Sequence, residues 1–91
     1  MSAPNWKSLF SAWPPEQPRR GVLVTNFGEQ IAFAGFLTGE EFLFVDRQAP
    51  DSMGGRALFV PYQNIAAVKF TDVVKEKGIH DLGFQGNLPK K

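Results

Sequence analysis

The chain has 91 residues, enough for one domain only, and a domain of this size buries a modest fraction of its surface. Ten Lys and Arg against nine Asp and Glu give a net charge of +1, which excludes a broad basic surface for nucleic acid or anionic membrane. The absence of cysteine excludes disulfides, thiolate metal sites and thiol nucleophiles. A hydrophobic content of 43%, with nine Phe and two Trp, indicates a folded, aromatic-rich domain.

The sequence shows neither of the patterns that direct a chain to a membrane. No charged segment followed by an apolar stretch comes after Met1, so we expect no secretory signal. The longest apolar run, residues 31–37, is far shorter than the about 20 residues that a helix needs to span a bilayer. We therefore expect a cytoplasmic protein that makes no membrane contact.

The first predicted element is a short helix over about residues 5–13. Its apolar side chains recur at spacings of three and four residues, which places them on one stripe: Trp6, Leu9, Phe10 and Trp13. Pro14 and Pro15 end the helix. A helix of this length is marginal by itself, so the stripe must pack on something. Two hypotheses stay open here, packing on the core of its own domain and capping a subunit interface.

The segment from 21 to 72 carries the pattern of a small antiparallel β-domain. Strands are predicted over 22–26, 30–37, 41–47, 56–60 and 65–72, with turns at 27–29 and 38–40 and a loop over 48–55. Pro61 cannot donate to a strand ladder, so the chain should turn a tight corner at 61–64. These elements predict a mainly β fold, a five-stranded, strongly bent antiparallel barrel of the Sm-like or SH3-like type.

Residues 73–91 lose the β pattern. One helical turn is expected over 73–77, and glycines at 78, 83 and 86 predict an irregular tail beyond it. The chain thus divides into a barrel domain with its helix, residues 1–72, and a C-terminal tail, residues 73–91. The scattered apolar residues of the tail are typical of a segment that becomes ordered on a partner or a neighbouring subunit.

The strands hold more apolar side chains than one small barrel can enclose. Residues 31–37 and 42–45 are apolar on both faces, whereas a strand with one face in water alternates. We therefore expect a homo-oligomer whose subunits share strands or faces, the alternative being that the helix and the tail cover the surplus. The candidate interface residues are Phe36, Phe44, Phe59 and Phe70.

Three segments together resemble a known family. They are Val22-Leu-Val-Thr-Asn-Phe-Gly28, Phe33-Ala-Gly35-Phe-Leu37 and Phe59-Val-Pro-Tyr-Gln-Asn-Ile65-Ala-Ala-Val68. Over about residues 5–72 they are similar to the Sm-like superfamily of small β-barrels, which includes the Sm and LSm proteins and bacterial Hfq. The resemblance implies a cyclic homo-oligomer joined by strand pairing, and single-stranded RNA bound near the pore.

The corner between the last two strands supplies the candidate RNA-binding residues. Tyr62-Gln63-Asn64 resembles the Tyr-Lys-His corner of Hfq with the aromatic kept and both basic groups replaced. Tyr62 is a candidate stacking platform, and Gln63 and Asn64 are candidate readers of base edges. Arg47 and Arg56 flank the 48–55 loop and could contact phosphates.

The residues for catalysis and metal binding are sparse. The chain has one His and four Ser, and no Ser has a base beside it in sequence. His80-Asp81 is the only adjacent His and carboxylate pair, and it lies in the tail. Glu40-Glu41 and Asp46 lack the ligand spacing of a calcium loop, and one His cannot form a zinc site. We predict no catalytic residue, no metal and no cofactor.

One alternative fold and two functions follow from these patterns. A bacterial pleckstrin-like barrel also has an apolar-Pro-Tyr corner, but it needs a C-terminal capping helix that the glycine-rich tail is not expected to supply. The favoured function is a non-enzymatic, self-associating assembly module with a protein partner. The alternative function is an Sm-like or Hfq-like RNA-binding protein, whose affinity would depend on salt.

Overall fold

The computed structural model describes residues 5–89, and within that range one five-stranded antiparallel sheet lies between two short helices in sequence. The elements are α1 (Trp6–Ser11), β1 (Gly21–Thr25), β2 (Gln30–Thr38), β3 (Phe42–Arg47), β4 (Ala57–Pro61), β5 (Ile65–Phe70) and α2 (Glu76–Asp81). The strand order is β4-β3-β2-β1-β5. The predicted mainly β fold and N-terminal helix are confirmed, with bounds within two residues of those observed.

The sheet is open. β4 and β5 lie at its two ends and do not pair with each other, so a closed barrel is not confirmed. Aromatic side chains of the N-terminal segment cover the inner face instead, since Phe10 and Trp13 belong to the buried core. The strands contribute the rest of that core: Leu23, Ile31, Phe33, Phe36, Leu43, Val45, Val60 and Ile65. The hypothesis that the helical stripe packs on its own domain is confirmed for Phe10 and Trp13.

Hydrogen bonds hold α1 and the proline-rich connector between α1 and β1, residues 12–20, in place. The Asn5 side chain accepts a bond of 3.0 Å from the Ser8 amide and so caps the helix. The Trp13 indole Nε1 donates to the backbone carbonyls of Gln17 and Pro18, at 3.2 Å each. The connector therefore wraps around the buried Trp13 ring.

A bulge in β2 changes which side chains point inward. Phe33 lies opposite Arg47 and Gly35 lies opposite Asp46, so one extra residue is accommodated in β2 at this point. The alternation shifts by one residue beyond the bulge. As a result Phe36 points into the core and Leu37 points out of it.

The tail departs from the sequence prediction, because α2 spans six of its residues where an irregular segment was expected. Gly78 lies inside this helix, and an added Cβ there would come within 3.1 Å of the Pro14 Cβ. The residue that weakens helix propensity is thus the one that lets α2 approach the connector closely. An apolar cavity of about 180 Å³ stays open between α1, β5 and α2.

Candidate interaction surface

The outer face of the sheet carries a contiguous apolar surface. Leu37 lies opposite Phe44 across the β2–β3 pair, and Phe44 lies opposite Phe59 across the β3–β4 pair. The rings of Phe44 and Phe59 meet edge to face, with centroids 5.3 Å apart. Leu37 is 65% exposed, Phe42 47% and Phe59 70%. We call Leu37, Phe42, Phe44 and Phe59 the outer apolar patch.

The outer apolar patch reaches the free edge of β4. The Arg47 amide donates to the Arg56 carbonyl at 2.9 Å, and the Tyr62 amide donates to the Glu41 carbonyl at 3.2 Å. Backbone groups along a strand alternate between its two neighbours, so the even-numbered residues of β4 bond to β3. The odd-numbered residues of β4 therefore direct their backbone groups to the free edge.

The free edge of β4 has unequal numbers of donors and acceptors. Ala57, Phe59 and Pro61 each present a carbonyl there, but only Ala57 and Phe59 present an N–H because proline has none. Within residues 5–89 no further strand pairs with this edge. An edge with exposed donors next to apolar side chains favours pairing with another chain.

Two of the four aromatic residues predicted for an interface are used inside their own chain. Phe36 is 5% exposed, and its ring lies 4.9 Å from that of Phe10. Phe70 is half-buried, with its ring 4.8 Å from that of Trp13. The β2 bulge explains the difference for Phe36, since strict alternation from Phe33 would place it on the outer face.

The other two predicted interface residues, Phe44 and Phe59, lie in the outer apolar patch. Sequence reasoning missed Leu37 and Phe42 as members of the same surface. Leu37 could not be assigned to this surface from the sequence, because it points outward only as a result of the β2 bulge. Phe42 could have been found from the alternation along β3, because it is two residues from Phe44.

The candidate RNA-binding corner is a short 3-10 turn, Tyr62–Asn64, tied to its neighbours by backbone bonds. The Tyr62 hydroxyl donates to the Gly39 carbonyl at 2.9 Å, and its ring is half-buried against the core. Asn26 donates to the carbonyls of Gln63 and Asn64, at 2.8 and 2.9 Å. The Gln63 residue is exposed, whereas the Tyr62 ring is largely occupied by structural contacts.

The structure places the candidate arginines away from that corner. Arg47 and Arg56 are neighbours at the loop end of the β3–β4 hairpin, and Arg47 Nε donates to the Ala49 carbonyl at 3.1 Å. Tyr62 lies at the opposite end, six residues beyond Arg56, a span of roughly 20 Å at the usual rise of a strand. One copy of the chain therefore does not bring these residues together.

The electrostatic surroundings of Tyr62 are acidic. A shallow depression beside the ring includes Glu40 and Glu41. Lys7 Nζ lies 2.8 Å from Glu40 Oε2, and this hydrogen bond and charge hold the pKa of Glu40 below its usual range. Glu41 is exposed and has no ion pair within residues 5–89. Carboxylates at this position repel a phosphate backbone.

The Asp51 side chain ties together the tip of the 48–55 loop. Asp51 Oδ1 accepts from the amides of Gly55 at 2.8 Å and Met53 at 2.9 Å. These bonds, the one to Gly55 first, lower the pKa of Asp51. Met53 at the loop tip is 94% exposed. The predicted loop is confirmed, and it has a defined conformation.

The single histidine of the chain and the carboxylate next to it in sequence do not face each other. His80 Nε2 lies 3.3 Å from Glu76 Oε2, and Asp81 Oδ2 lies 3.8 Å from Lys77 Nζ, so the adjacent His80 and Asp81 face different partners. Residues 5–89 contain no group of three His, Cys, Asp or Glu that could hold a metal ion. None of their helices has the length and apolar character needed to cross a membrane.

The structural features with a functional implication are thus the outer apolar patch and the β4 edge beside it. Comparison with protein-family models, curated proteins and solved structures found no match to this chain, and the Sm-like family stays a prediction from the resemblance of its strands.

Proposed function

We propose that the protein is a non-enzymatic, self-associating module of the Sm-like barrel type, which assembles through the outer apolar patch and the β4 edge. The observation that carries this proposal is the position of Phe59, which is 70% exposed on a terminal strand next to the Phe44 ring. Burying one such side chain contributes about 1.5–3 kcal/mol, and Phe59 lies where a chain added to the β4 edge would contact it.

The patch favours a partner that is apolar and extended. Contiguous exposed apolar surface is uncommon on a monomer and marks an interaction site. An unpaired strand edge adds backbone hydrogen bonds to that attraction. A second copy of the chain supplies both features, so self-association is the simplest assembly that satisfies the surface.

The test is the native mass of the particle by light scattering, with absorbance at 260 and 280 nm read on the same peak. We expect a nucleic-acid-free oligomer that dissociates in the variant Phe59→Lys, because a buried lysine charge opposes association. The matched control is Phe27→Lys, since Phe27 has 71% exposure but lies in the β1–β2 turn. A wild-type monomer, or equal dissociation of both variants, would overturn the proposal.

RNA binding through Tyr62, Gln63, Asn64, Arg47 and Arg56 stays the alternative function. One copy of the chain separates the arginines from the corner and places Glu41 beside Tyr62, which gives this alternative less support. Its signature in the same experiment is an oligomer that carries nucleic acid. Its affinity for single-stranded RNA would fall steeply as salt is raised.

A further inference from the structure

Building on the proposed self-association, we infer that two copies pair through antiparallel β4 strands around a two-fold axis at Phe59. The inference concerns the partner surface and the pairing register, so it can fail while self-association itself holds. It depends on whether the residues that present free backbone groups at each edge of the sheet point their side chains to its inner or its outer face.

The two free edges differ in the face that they present. The Thr25 amide donates to the Glu29 carbonyl at 2.9 Å, so odd-numbered residues of β1 bond to β2 and even-numbered ones bond to β5. Lys69 lies opposite Val22 and Ala67 lies opposite Val24, so these two residues of β5 bond to β1. The even-numbered residues of β5, which include Val68 and Phe70, therefore direct their backbone groups to its free edge.

Those β5 residues, Val68 and Phe70, have inward side chains that pack on the core. The free-edge residues of β4, such as Phe59, have outward side chains instead. Antiparallel residues that exchange hydrogen bonds lie on the same face of a sheet. Antiparallel pairing of β4 with a neighbour's β5 would therefore join the outer face of one copy to the inner face of the next, whereas β4 with β4 joins outer face to outer face.

The register centred on Phe59 uses every donor of the edge. Each Phe59 amide donates to the partner's Phe59 carbonyl, and each Ala57 amide donates to the partner's Pro61 carbonyl. Pro61 serves as an acceptor only, so its missing N–H costs no donor. The two outer apolar patches then merge into one row across the axis, with the Phe59 side chains as neighbours at its centre.

Charge complementarity supports the same register. Arg56 lies opposite the partner's Tyr62, and Tyr62 is bonded through its amide to the Glu41 carbonyl. Arg56 is exposed and has no ion pair within residues 5–89, as is also true of Glu41. The two-fold axis places each arginine near the acidic depression of the other copy, which pairs opposite charges twice.

Cysteine cross-linking tests the register, because the chain has no cysteine of its own. In the double variant Ala57→Cys/Pro61→Cys, each cysteine faces the other type across the axis at a Cα separation of about 5.5 Å, within disulfide range. Equivalent cysteines of the two copies are about 14 Å apart, so neither single variant can cross-link in this way. We expect at least tenfold more covalent dimer from the double variant than from either single variant after mild oxidation.

A charge swap tests the same pairing without cysteine. Arg56→Glu should weaken dimerisation about tenfold, because it places like charges together at two symmetric positions. Arg56→Glu/Glu41→Arg should restore the affinity to within about threefold. Circular dichroism of each reduced variant checks that the sheet is intact, and the swap decides the question if the cysteine variant does not fold.

The outcomes separate this inference from the function on which it rests. A wild-type particle of twice the 10.1 kDa chain mass, with selective cross-linking or rescue by the swap, supports the two-fold pairing. An oligomer that shows neither selective cross-linking nor rescue overturns the β4 pairing and leaves self-association standing. A wild-type monomer overturns both.

Discussion

The two tryptophans show how one residue type serves different purposes at neighbouring positions. Trp13 is buried, donates through Nε1 to two carbonyls, and packs its ring against those of Phe33, Phe36 and Phe70. Within the described residues the Trp6 Nε1 is buried without a hydrogen-bond partner. A buried donor without an acceptor destabilises the folded state, whereas a satisfied one specifies it.

Replacing each tryptophan by phenylalanine should therefore have unequal effects. Trp13→Phe should lower the free energy of unfolding by about 1–3 kcal/mol, because it leaves two carbonyls without their donor. Trp6→Phe should change it by less than about 1 kcal/mol, because the lost group was already unpaired. Urea unfolding followed by the fluorescence of the remaining tryptophan measures both. Equal losses in the two variants would contradict this assignment.

Glycines show the limit of reading single residues from the sequence. Gly35 lies at the β2 bulge, yet an added Cβ there would meet nothing within 4 Å. Gly21 comes just before the predicted strand over 22–26 and carries no local signal, yet a Cβ there would clash with the Lys69 carbonyl. The close approach depends on the β1–β5 pairing, which no local pattern contains.

At the scale of elements, an ion pair joins the connector to the start of the tail. Arg20 donates two hydrogen bonds of 2.8 Å to the Asp72 carboxylate, and so fixes the segment that links β5 to α2. This hydrogen bonding, more than the charge, lowers the pKa of Asp72 below its usual range. Both side chains are in contact with water, so the pair orients the tail more than it stabilises the fold.

Acid should loosen this attachment. The folded-state pKa of Asp72 lies below its unfolded value of about 3.9, so its contribution is present above that value and is lost as the pH falls through the lowered pKa. We expect the free energy of unfolding to decrease below about pH 4, with a shallower slope in Asp72→Asn. Urea unfolding at a series of pH values measures this, with Asp81→Asn as the control. An unchanged slope in Asp72→Asn would contradict the prediction.

Helix and strand prediction succeeded where the pattern is local. The five strands follow from β-branched and aromatic runs between turn residues, and α1 follows from its apolar stripe. α2 was missed because its sequence, with Gly78 inside, has low helix propensity. Its formation depends on packing against Pro14, a contact between segments more than sixty residues apart in the chain.

At the scale of the whole molecule, self-association should appear as a dependence of stability on concentration. A native oligomer is stabilised by mass action, so the melting temperature should rise by a few degrees for a tenfold increase in protein concentration. Phe59→Lys should remove this dependence, and Phe27→Lys should keep it. Differential scanning calorimetry at two concentrations measures the effect. A wild-type melting temperature independent of concentration would argue against assembly.

The candidate surface could be predicted only in part. The surplus of apolar residues in the strands predicts apolar side chains on the outer face, and Phe44 and Phe59, both predicted for an interface, lie in the outer apolar patch. Phe36, also predicted for an interface, is buried in its own chain because one extra residue in β2 inverts the alternation beyond it. Such a bulge depends on pairing with β3 and has no reliable local signal.

Local sequence patterns were sufficient to predict a small five-stranded antiparallel protein with an N-terminal helix. These patterns are the periodicity of apolar residues and the residue types found at turns. They could not predict that the sheet stays open, that aromatic side chains of the N-terminal segment complete the core, or that the free edge of β4 carries the outward Phe59 next to Phe44. These features depend on register and on contacts between distant segments, and a shift of one residue in a strand moves a side chain from the core to the surface.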